Sequence, residues 1–405
     1  MKYRGWQCLT IDDVCTVTDC LHKTAPKVNY ETEFKMLRTS NIRNGRIDRV
    51  NVNYVTEEIY EAWSNRGKLE VDDVILTREA PMGEVGIIKT NDRFFLGQRM
   101  LQLKAKRDVI LPDFLYYSLQ TPYLQHQIKM NEGTGSVVSN IRIPLLKKMK
   151  IFVPSIQTQE RLVRVLKLID EKIEVNSQSV SLLEQIAHTI FKRWFIDFEF
   201  PYETEEPYKT FGGEMVESDL GLIPKGWKIG NLEDLITIGS GKRPKKNQEV
   251  QDADFSIPII GASKVMGYTN DFLFNSPIIV TGRVGTHGIV QRLSVPCWPS
   301  DNTLVIQSKY YEFVYQFLKH ANLGSLNRGS TQPLITQTDI KKLKLVIPCG
   351  KTLSLFEKLI SKLFLVREQR IDENNLLTHL RDSLLPKLLS GEIEVTIESE
   401  EEAHV

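Results

Sequence analysis

The sequence predicts an α+β protein: two similar mixed α/β domains separated by two long antiparallel helices that form a coiled coil. Three observations predict this architecture. One series of short motifs occurs twice along the 405 residues. Each copy begins with short β-type runs broken by glycine, proline and asparagine. Each copy ends in a long stretch that lacks both glycine and proline, which favours an uninterrupted helix.

The composition is that of a globular protein, with 41% hydrophobic and 25% charged residues. No apolar run approaches the roughly 20 residues needed to cross a bilayer, and the first residues lack the apolar core of a signal peptide. We therefore expect a cytoplasmic protein with no membrane partner. The formal net charge of +1 gives no global basic signature, so contacts to nucleic acid would have to come from local clusters of Lys and Arg.

The five cysteines form no Cys-x-x-Cys pair, and their odd number argues against a disulfide framework. Cys15, Cys20 and His22 could suggest a metal, but zinc sites usually have tighter paired spacing. The sequence therefore predicts reduced thiols and no metal.

The internal repeat can be followed residue by residue. Gly5-Trp6 recurs 221 positions later as Gly226-Trp227. VDDVILTREAPMGEVGI resembles NSPIIVTGRVGTHGI, with Thr77 opposite Thr281, and LKKMKIFVP (146–154) matches IKKLKLVIP (340–348). The period is much larger than that of any solenoid repeat, which indicates two similar domains doing the same kind of job on two targets.

The internal repeat and the two stretches without glycine and proline divide the chain into five segments. They are a first domain at 1–156, a central helix at 157–200, a linker with the second domain at 201–350, a distal helix at 351–391 and an acidic tail at 392–405.

The central helix shows one narrow apolar seam, which is typical of a coiled coil. Asn176 is the one polar residue in it, a common device for fixing register. The alternative is that each helix packs only on its own domain, although a surface helix usually shows a wider stripe. The seam residues alternate by four and three: Leu162, Leu166, Ile169, Ile173, Asn176, Val180, Leu183, Ala187, Ile190 and Trp194.

Motifs for catalysis are weak. Gly239-Ser240-Gly241-Lys242 lacks the remaining residues of a phosphate loop. Asp19 with Glu33-Phe34-Lys35 could suggest a nuclease, but no strand-like frame precedes that triplet. We find neither the glycine-rich turn nor the Asn/Asp-Pro-Pro-aromatic element of an adenosylmethionine-dependent methyltransferase. The sequence therefore predicts no catalytic site.

Loops that recur in both copies carry the residue types that read DNA. Arginine can bridge guanine edges, and asparagine or glutamine can bridge adenine. The Lys242–Lys246 cluster suits phosphates; the alternative for every loop is a polar turn that closes the domain. The candidate DNA-binding residues are Asn41, Arg43, Arg78, Gln98, Arg99, Ser136, Lys242, Arg243, Lys245, Lys246, Arg283, Asn302, Arg328, Ser330, Thr331 and Gln332.

With these residues in hand, the chain resembles the specificity subunits of type I restriction–modification systems over almost its whole length. The most specific segments are GKRPK (241–245), FKRWFIDFEFPYE (191–203) and GGEMVESDLGLIPKGW (212–227). IPLLKKMKIFVPSIQTQERLV, TREAPMGEVG, LGQRM and DSLLPKLLSGEI add to the resemblance, and their order and duplication make it strong.

The resemblance implies a subunit without catalytic activity whose two target-recognition domains each read half of an asymmetric, bipartite site in double-stranded DNA. It implies that the two helices set the gap between the half-sites. It also implies two methyltransferase subunits docked largely on the helical regions, and restriction subunits. S-adenosylmethionine, ATP and Mg²⁺ would bind to those partners, with no cofactor in this chain.

Two other classes stay open. One is a DNA-modifying or DNA-cutting enzyme with its own active site, against which the missing catalytic motifs speak. The other is a scaffold built on the coiled coil that does not bind DNA, against which the duplicated basic and amide-rich loops speak.

Overall fold

The computed structural model describes residues 3, 5–130, 140–201, 206–283, 288–321, 323–326 and 334–395. The chain forms two compact units. Unit 1 comprises Met1–Val175 and Glu373–Val405, and unit 2 comprises Asn176–Asp372. Unit 2 is thus one continuous stretch inserted into unit 1. Within the described ranges, no helix combines the length and apolar character required to span a membrane.

The elements of unit 1 follow one another in short segments, and its last helix continues into unit 2. Its strands are β1 (Gln7–Thr10), β2 (Cys15–Asp19), β3 (Phe34–Leu37), β4 (Ile42–Arg43), β5 (Arg46–Ile47), β6 (Asn53–Tyr54), β7 (Val74–Thr77), β8 (Val85–Ile87), β9 (Arg93–Leu96), β10 (Met100–Ala105) and β11 (Lys150–Val153). Its helices are α1 (Ile11–Val14), α2 (Glu57–Trp63), α3 (Pro112–Gln120), α4 (Pro122–Met130), α5 (Ile143–Lys148) and α6 (Ile156–Phe195), with a 3₁₀ turn at Thr39–Asn41.

Unit 2 begins within α6, and its own last helix continues into unit 1. Its strands are β12 (Met215–Val216), β13 (Ile223–Pro224), β14 (Lys228–Asn231), β15 (Thr237–Ser240), β16 (Ile257–Ile260), β17 (Val265–Thr269), β18 (Ile278–Gly282), β19 (Val290–Leu293), β20 (Trp298–Pro299), β21 (Thr303–Gln307) and β22 (Lys344–Ile347). Its helices are α7 (Tyr311–His320), α8 (Gln337–Lys341) and α9 (Gly350–Leu388), with 3₁₀ turns at Leu232–Asp234 and Leu323–Leu326.

The two units have the same strand topology, which confirms the internal repeat. The four-stranded sheets have the orders β2-β10-β7-β8 and β15-β21-β18-β19. Each unit also has a three-stranded sheet with one parallel pair, β3 with β9 and β16 with β20. In each unit a two-stranded ladder pairs a strand at the start of the repeated sequence with the last strand of the unit, β1 with β11 and β14 with β22.

The ladders correct one detail of the sequence alignment. Thr77 pairs with Met100, and Gly282 pairs with Thr303 in the equivalent ladder. Thr77 therefore corresponds to Gly282, and its predicted match with Thr281 is wrong by one residue. The prediction matched threonine to threonine by residue type, and that match did not preserve the strand pairing.

Within each unit the halves of α6 and α9 run antiparallel. In unit 1, Arg381 Nη1 donates to Asp170 Oδ1 at 3.0 Å, and Asn374 Nδ2 donates to the carbonyl of Ile173 at 3.2 Å. In unit 2, Arg367 Nε donates to Glu184 Oε1 at 2.7 Å, and the rings of Trp194 and Phe356 are 5.7 Å apart. In both cases the residue numbers rise along α6 while those of its partners fall along α9.

The predicted seam lies on the buried side of α6. None of its ten residues is exposed, and Asn176 is 1% exposed. The helix stops at Phe195 and does not continue to 200. Beyond that point the Asp197 amide donates to the carbonyl of Lys192 at 3.0 Å, and Phe198 adopts a left-handed φ of 62°. A left-handed residue outside the last turn is a common helix C-terminus.

Each unit has its own apolar core, built between its sheets and its own half of the helix pair. In unit 1, Phe114 and Leu101 pack with Leu166 of α6 and Leu388 of α9. In unit 2 the core is aromatic, with Phe191, Phe195, Phe313 and Phe356 all buried.

Candidate nucleic-acid interface

The predicted loops meet at one edge of the four-stranded sheet in each unit. Because neighbouring strands are antiparallel, the ends of β2 and β7 lie beside the start of β10. Unit 2 repeats this with the ends of β15 and β18 and the start of β21. We call this the reading edge of each unit. Candidate residues far apart in sequence are therefore brought together within each unit.

In unit 2 the basic loop is anchored to the reading edge by its backbone. The Lys242 amide donates to the carbonyl of Pro299 at 3.0 Å, and the Trp298 indole donates to the carbonyl of Lys242 at 2.7 Å. A Cβ at position 241 would lie 2.2 Å from the carbonyl oxygen of Ser300, so only glycine permits this close approach.

The side chains of this loop point into solvent. Lys242, Lys245 and Lys246 are exposed. The Arg243 side chain is 83% exposed and lies 3.5 Å from an oxygen of Asp301. Such an exposed pair contributes little to stability, so these cations are available to phosphates.

Arg283 and Asn302 share one backbone frame on the same edge. The Arg283 amide donates to the carbonyl of Asn302 at 2.9 Å, and the Ile335 amide donates to the carbonyl of Arg283 at 3.1 Å. Both side chains are exposed, and neither has a side-chain hydrogen bond or ion pair with any other described residue. Arginine and asparagine presented in this way have their donors free for base edges.

The same frame in unit 1 carries Arg78 and Arg99. The Arg78 amide donates to the carbonyl of Arg99 at 2.8 Å. The Arg99 side chain is 52% exposed and lies 3.3 Å from Glu79. Gln98 is half-buried beside it, and its amide nitrogen lies 3.3 Å from the Thr24 hydroxyl.

Unlike its counterpart, the Arg78 side chain is held inside unit 1 and is only 17% exposed. Its Nε donates to Asn140 Oδ1 at 2.7 Å and to the carbonyl of Ile141 at 3.0 Å. Its Nη1 lies 3.1 Å from Asp19 Oδ2 and 3.3 Å from His22 Nε2. These contacts occupy much of the guanidinium.

Asn41 directly precedes the β4–β5 hairpin, and Arg43 is the last residue of β4. Asn41 is 2% exposed and spans its own loop, accepting from the Arg38 amide and donating to the carbonyl of Asn51, both at 2.9 Å. Arg43 is exposed, although its Nη1 donates to the carbonyl of Thr39 at 2.6 Å. Arg43 is thus placed where DNA could reach it, whereas Asn41 already fixes the loop.

Part of the predicted site falls outside the residues that the structure describes. These candidates are Ser136, Arg328, Ser330, Thr331 and Gln332.

Two residues that support the interface were missed by sequence reasoning. Trp298 anchors the basic loop, and Asp19 holds Arg78. Asp19 had been weighed only as part of a nuclease triplet. Both act on loops distant in sequence, so no local pattern could have revealed these roles.

Asp19, Cys20 and His22 place their ligand atoms within 4.8 Å of one another. Cys15, which the sequence had raised as a possible ligand, is not in this group. Burial raises the pKa of the Cys20 thiol, which disfavours the thiolate that metals bind. The guanidinium of Arg78 also lies against Asp19 and already supplies a positive charge there.

Comparison with known proteins gives a consistent result. A family model described as the type I restriction modification DNA specificity domain matches residues 3–185 and 224–363. The two matches fall on the two copies of the internal repeat.

Curated relatives agree with this match. The chain is 27% identical over 351 residues to the type I restriction enzyme MjaIX specificity subunit of Methanocaldococcus jannaschii, covering 80% of this chain and 78% of that protein. It is 26% identical over 376 residues to the type I restriction enzyme HindI specificity subunit of Haemophilus influenzae, covering 75% and 82%.

A solved structure has the same fold. The S subunit of a type I restriction–modification system from M. genitalium superposes with a TM-score of 0.56 at 17% identity. The alignment covers 95% of this chain and 96% of that one. At this level of identity the likeness concerns the fold alone.

Proposed function

The chain belongs to the family of type I restriction–modification DNA specificity proteins, and we propose that each unit reads one half of an asymmetric, bipartite DNA site. The family's domain recognises DNA and has no catalytic activity, so this chain is a specificity subunit. In the proposed function, unit 1 and unit 2 contact separate half-sites, and the gap between these half-sites depends on the lengths of α6 and α9.

The observation that carries the proposal is the duplicated reading edge with different side chains. The same backbone hydrogen bonds support Arg78 beside Arg99 in unit 1 and Arg283 beside Asn302 in unit 2. A constant frame with exchanged side chains is what two readers of different base sequences require. Arg283 and Asn302 have the chemistry for guanine and adenine, respectively.

The exposed lysines of the basic loop support phosphate binding next to these readers. Lys245 and Lys246 follow the anchored Lys242 and extend from the same edge. Phosphate contacts would fix the orientation of unit 2 on the duplex without contributing sequence information.

We further propose that two methyltransferase subunits dock on the helices and that restriction subunits join that complex. In α6, Leu168, Val175 and Leu182 are exposed at seven-residue spacing, outside the buried seam. In α9, Leu355 and Leu380 are also exposed. Apolar stripes of this kind mark protein interaction surfaces. S-adenosylmethionine, ATP and Mg²⁺ would bind to those partners.

The test is to replace residues 227–348 by the matching region of a relative and to map adenine methylation in cells. We expect one half of the methylated site to change and the other half and the gap to be retained. Changes in both halves would mean that the units are not separate readers. Methylation or cleavage of DNA by the rigorously purified single chain would instead support the enzyme alternative.

A further inference from the structure

The two reading edges differ most in what surrounds their equivalent arginines, Arg78 and Arg283. The equivalence is fixed by strand register. Asp19 pairs with Leu101, which pairs with Leu76, two residues before Arg78. Ser240 pairs with Leu304, which pairs with Thr281, two residues before Arg283. Position 240 of unit 2 therefore corresponds to position 19 of unit 1.

The backbone around both arginines is the same. The carbonyl of Arg78 accepts from the Ile141 amide, and that of Arg283 accepts from the Ile335 amide, each at 3.1 Å. Asn140 and Leu334, which precede those amides, are therefore equivalent as well. By the same count, His22 corresponds to Arg243.

All three side chains that hold Arg78 are replaced in unit 2. The Asp19 carboxylate becomes the Ser240 hydroxyl, which accepts instead from Gln337 Nε2 at 3.1 Å. The Asn140 side-chain acceptor is lost because leucine stands at 334. The His22 ring is replaced by Arg243, whose charge repels a second arginine.

The consequence is visible in the exposure of the two arginines. The Arg78 side chain is 17% exposed and makes charge-assisted bonds to Asp19, whereas Arg283 is exposed and has no side-chain partner among the described residues. An arginine clamped through Nε and Nη1 keeps only the two N–H groups of Nη2, which diverge and do not both reach O6 and N7 of one guanine. It would have to break these bonds to bridge a guanine with two of its nitrogens.

We propose that the residue at the end of the first strand of each four-stranded sheet, Asp19 or Ser240, selects the role of the neighbouring arginine. This inference rests on the proposed function, and it means that Arg283 reads a base of its half-site. Arg78 is instead a positioning residue that ties the segment at Asn140 to the reading edge of unit 1. Asp19 and Ser240 are thus specificity-determining residues without touching DNA.

The experiment measures methylation by the complete complex on a panel of duplexes, each with one base pair of the site substituted. Arg283→Ala and the double variant Ser240→Asp/Leu334→Asn, which rebuilds the clamp, should relax the same single position of the unit 2 half-site. Loss of a two-bond contact between arginine and a base should lower the discrimination against wrong bases at that position by roughly 5- to 150-fold. Arg78→Ala and Asp19→Asn should lower methylation on all duplexes alike and relax no single position.

The reverse variant keeps the test decisive if the rebuilt clamp impairs folding. Asp19→Ser/Asn140→Leu frees Arg78 and should create or sharpen discrimination at one position of the unit 1 half-site. The inference is overturned if Arg78→Ala relaxes a single position, or if Arg283→Ala relaxes none. The exchange of residues 227–348 serves as the control. If it leaves both half-sites unchanged, the proposed function itself fails; if it changes one half-site, only the selector role is at stake.

Discussion

The carboxylate of Asp170 in α6 accepts hydrogen bonds from Arg381 of α9 and from Tyr117 of α3. Its Oδ1 lies 3.0 Å from Arg381 Nη1, and its Oδ2 accepts from the Tyr117 hydroxyl at 2.7 Å. The Arg381 and Asp170 side chains are only 10% and 22% exposed. One side chain thus connects both helix halves and the sheet-bearing part of unit 1.

Removing Arg381 should therefore destabilise the protein more than removing an exposed ion pair. Arg381→Ala leaves a mostly buried carboxylate without its cation, which we expect to cost about 2 kcal/mol in the free energy of unfolding. Lys172→Ala is the matched control, because its pair with Glu373 at 3.3 Å is 44% and 36% exposed. It should cost less than about 1 kcal/mol. Urea denaturation measures both, and equal losses would contradict the connecting role of Asp170.

Glu357 should make unit 2 less stable as the pH rises towards neutrality. Its carboxylate accepts from the amides of Phe313 at 2.9 Å and Glu312 at 3.1 Å, and burial raises its pKa from 4.5 to about 7. Between these values the unfolded chain releases a proton that the folded chain keeps. The contribution of Glu357 to stability is therefore full below pH 4.5 and is lost as the pH rises through 7.

Glu357→Gln removes the ionisation, but its single amide oxygen can accept from only one of the two backbone amides, so the variant loses about 1 kcal/mol at every pH. We expect the variant to be less stable than the parent chain near pH 4.5 by that amount. The variant should gain on the order of 2 kcal/mol by pH 8. Thermal unfolding across pH 4.5–8 measures the difference, and parallel profiles for the two chains would show that Glu357 does not titrate in this window.

Lys245 and Lys246 should affect the affinity for all DNA sequences alike. Each phosphate contact that is lost reduces the slope of log affinity against log salt concentration by about 1. We expect Lys245→Ala and Lys246→Ala each to lower this slope in the assembled complex and to leave the base preference unchanged. Lys228→Ala changes an exposed lysine on β14, outside the reading edge, and should leave the slope unchanged. A change of base preference in the Lys245 variant would indicate a base contact instead.

Gly241→Ala should move the basic loop. The added Cβ would lie 2.2 Å from the Ser300 carbonyl oxygen and 2.4 Å from that of Pro299, so the backbone must shift. We expect about tenfold weaker DNA binding and a measurable loss of thermal stability, since position 241 is buried against the backbone at 299–300. At Gly239, two residues earlier, a Cβ meets nothing within 4 Å. Gly239→Ala should therefore bind DNA like the parent chain, and equal effects of both variants would refute the anchoring.

The spacer helices should set the gap between half-sites. Four residues inserted after Asn176 in α6, with four after Asp372 in α9, add about 6 Å of helix and turn the following residues by only about 40°. We expect both half-sites to be retained and the gap to grow by one or two base pairs. Two-residue insertions turn the seam by about 200° and should destabilise assembly. An unchanged gap in methylation maps would mean that the docked partners set the spacing.

The sequence predicted the repeat and the long helices because both depend on local patterns. Periodic apolar residues from Leu162 to Trp194 identify one buried helix face without knowledge of its partner. The end of α6 was not predicted, because the sequence has no glycine or proline between Phe195 and Pro201. The turn that ends the helix depends instead on the left-handed φ of Phe198.

The residues of the reading edge were predicted from their residue types, without knowledge of their contacts. The strand register makes Arg78 and Arg283 equivalent, yet their surroundings differ through Asp19 and Ser240, which are about 40 to 60 positions away. Whether an arginine is free depends on such distant neighbours. Asn41 likewise has base-reading chemistry but is buried in its own loop.

The insertion of unit 2 into unit 1 has a consequence for synthesis. Leu162 and Leu166 pack in one core with Leu385 and Leu388, which leave the ribosome only after all of residues 176–372. At 5–20 residues per second this delay is roughly 10–40 s. Unit 2 can close while unit 1 still exposes an apolar helix face, and a chain that terminates near 372 never covers it. A chain truncated near residue 372 should therefore be degraded by proteases, because its unit 1 keeps an exposed apolar helix face.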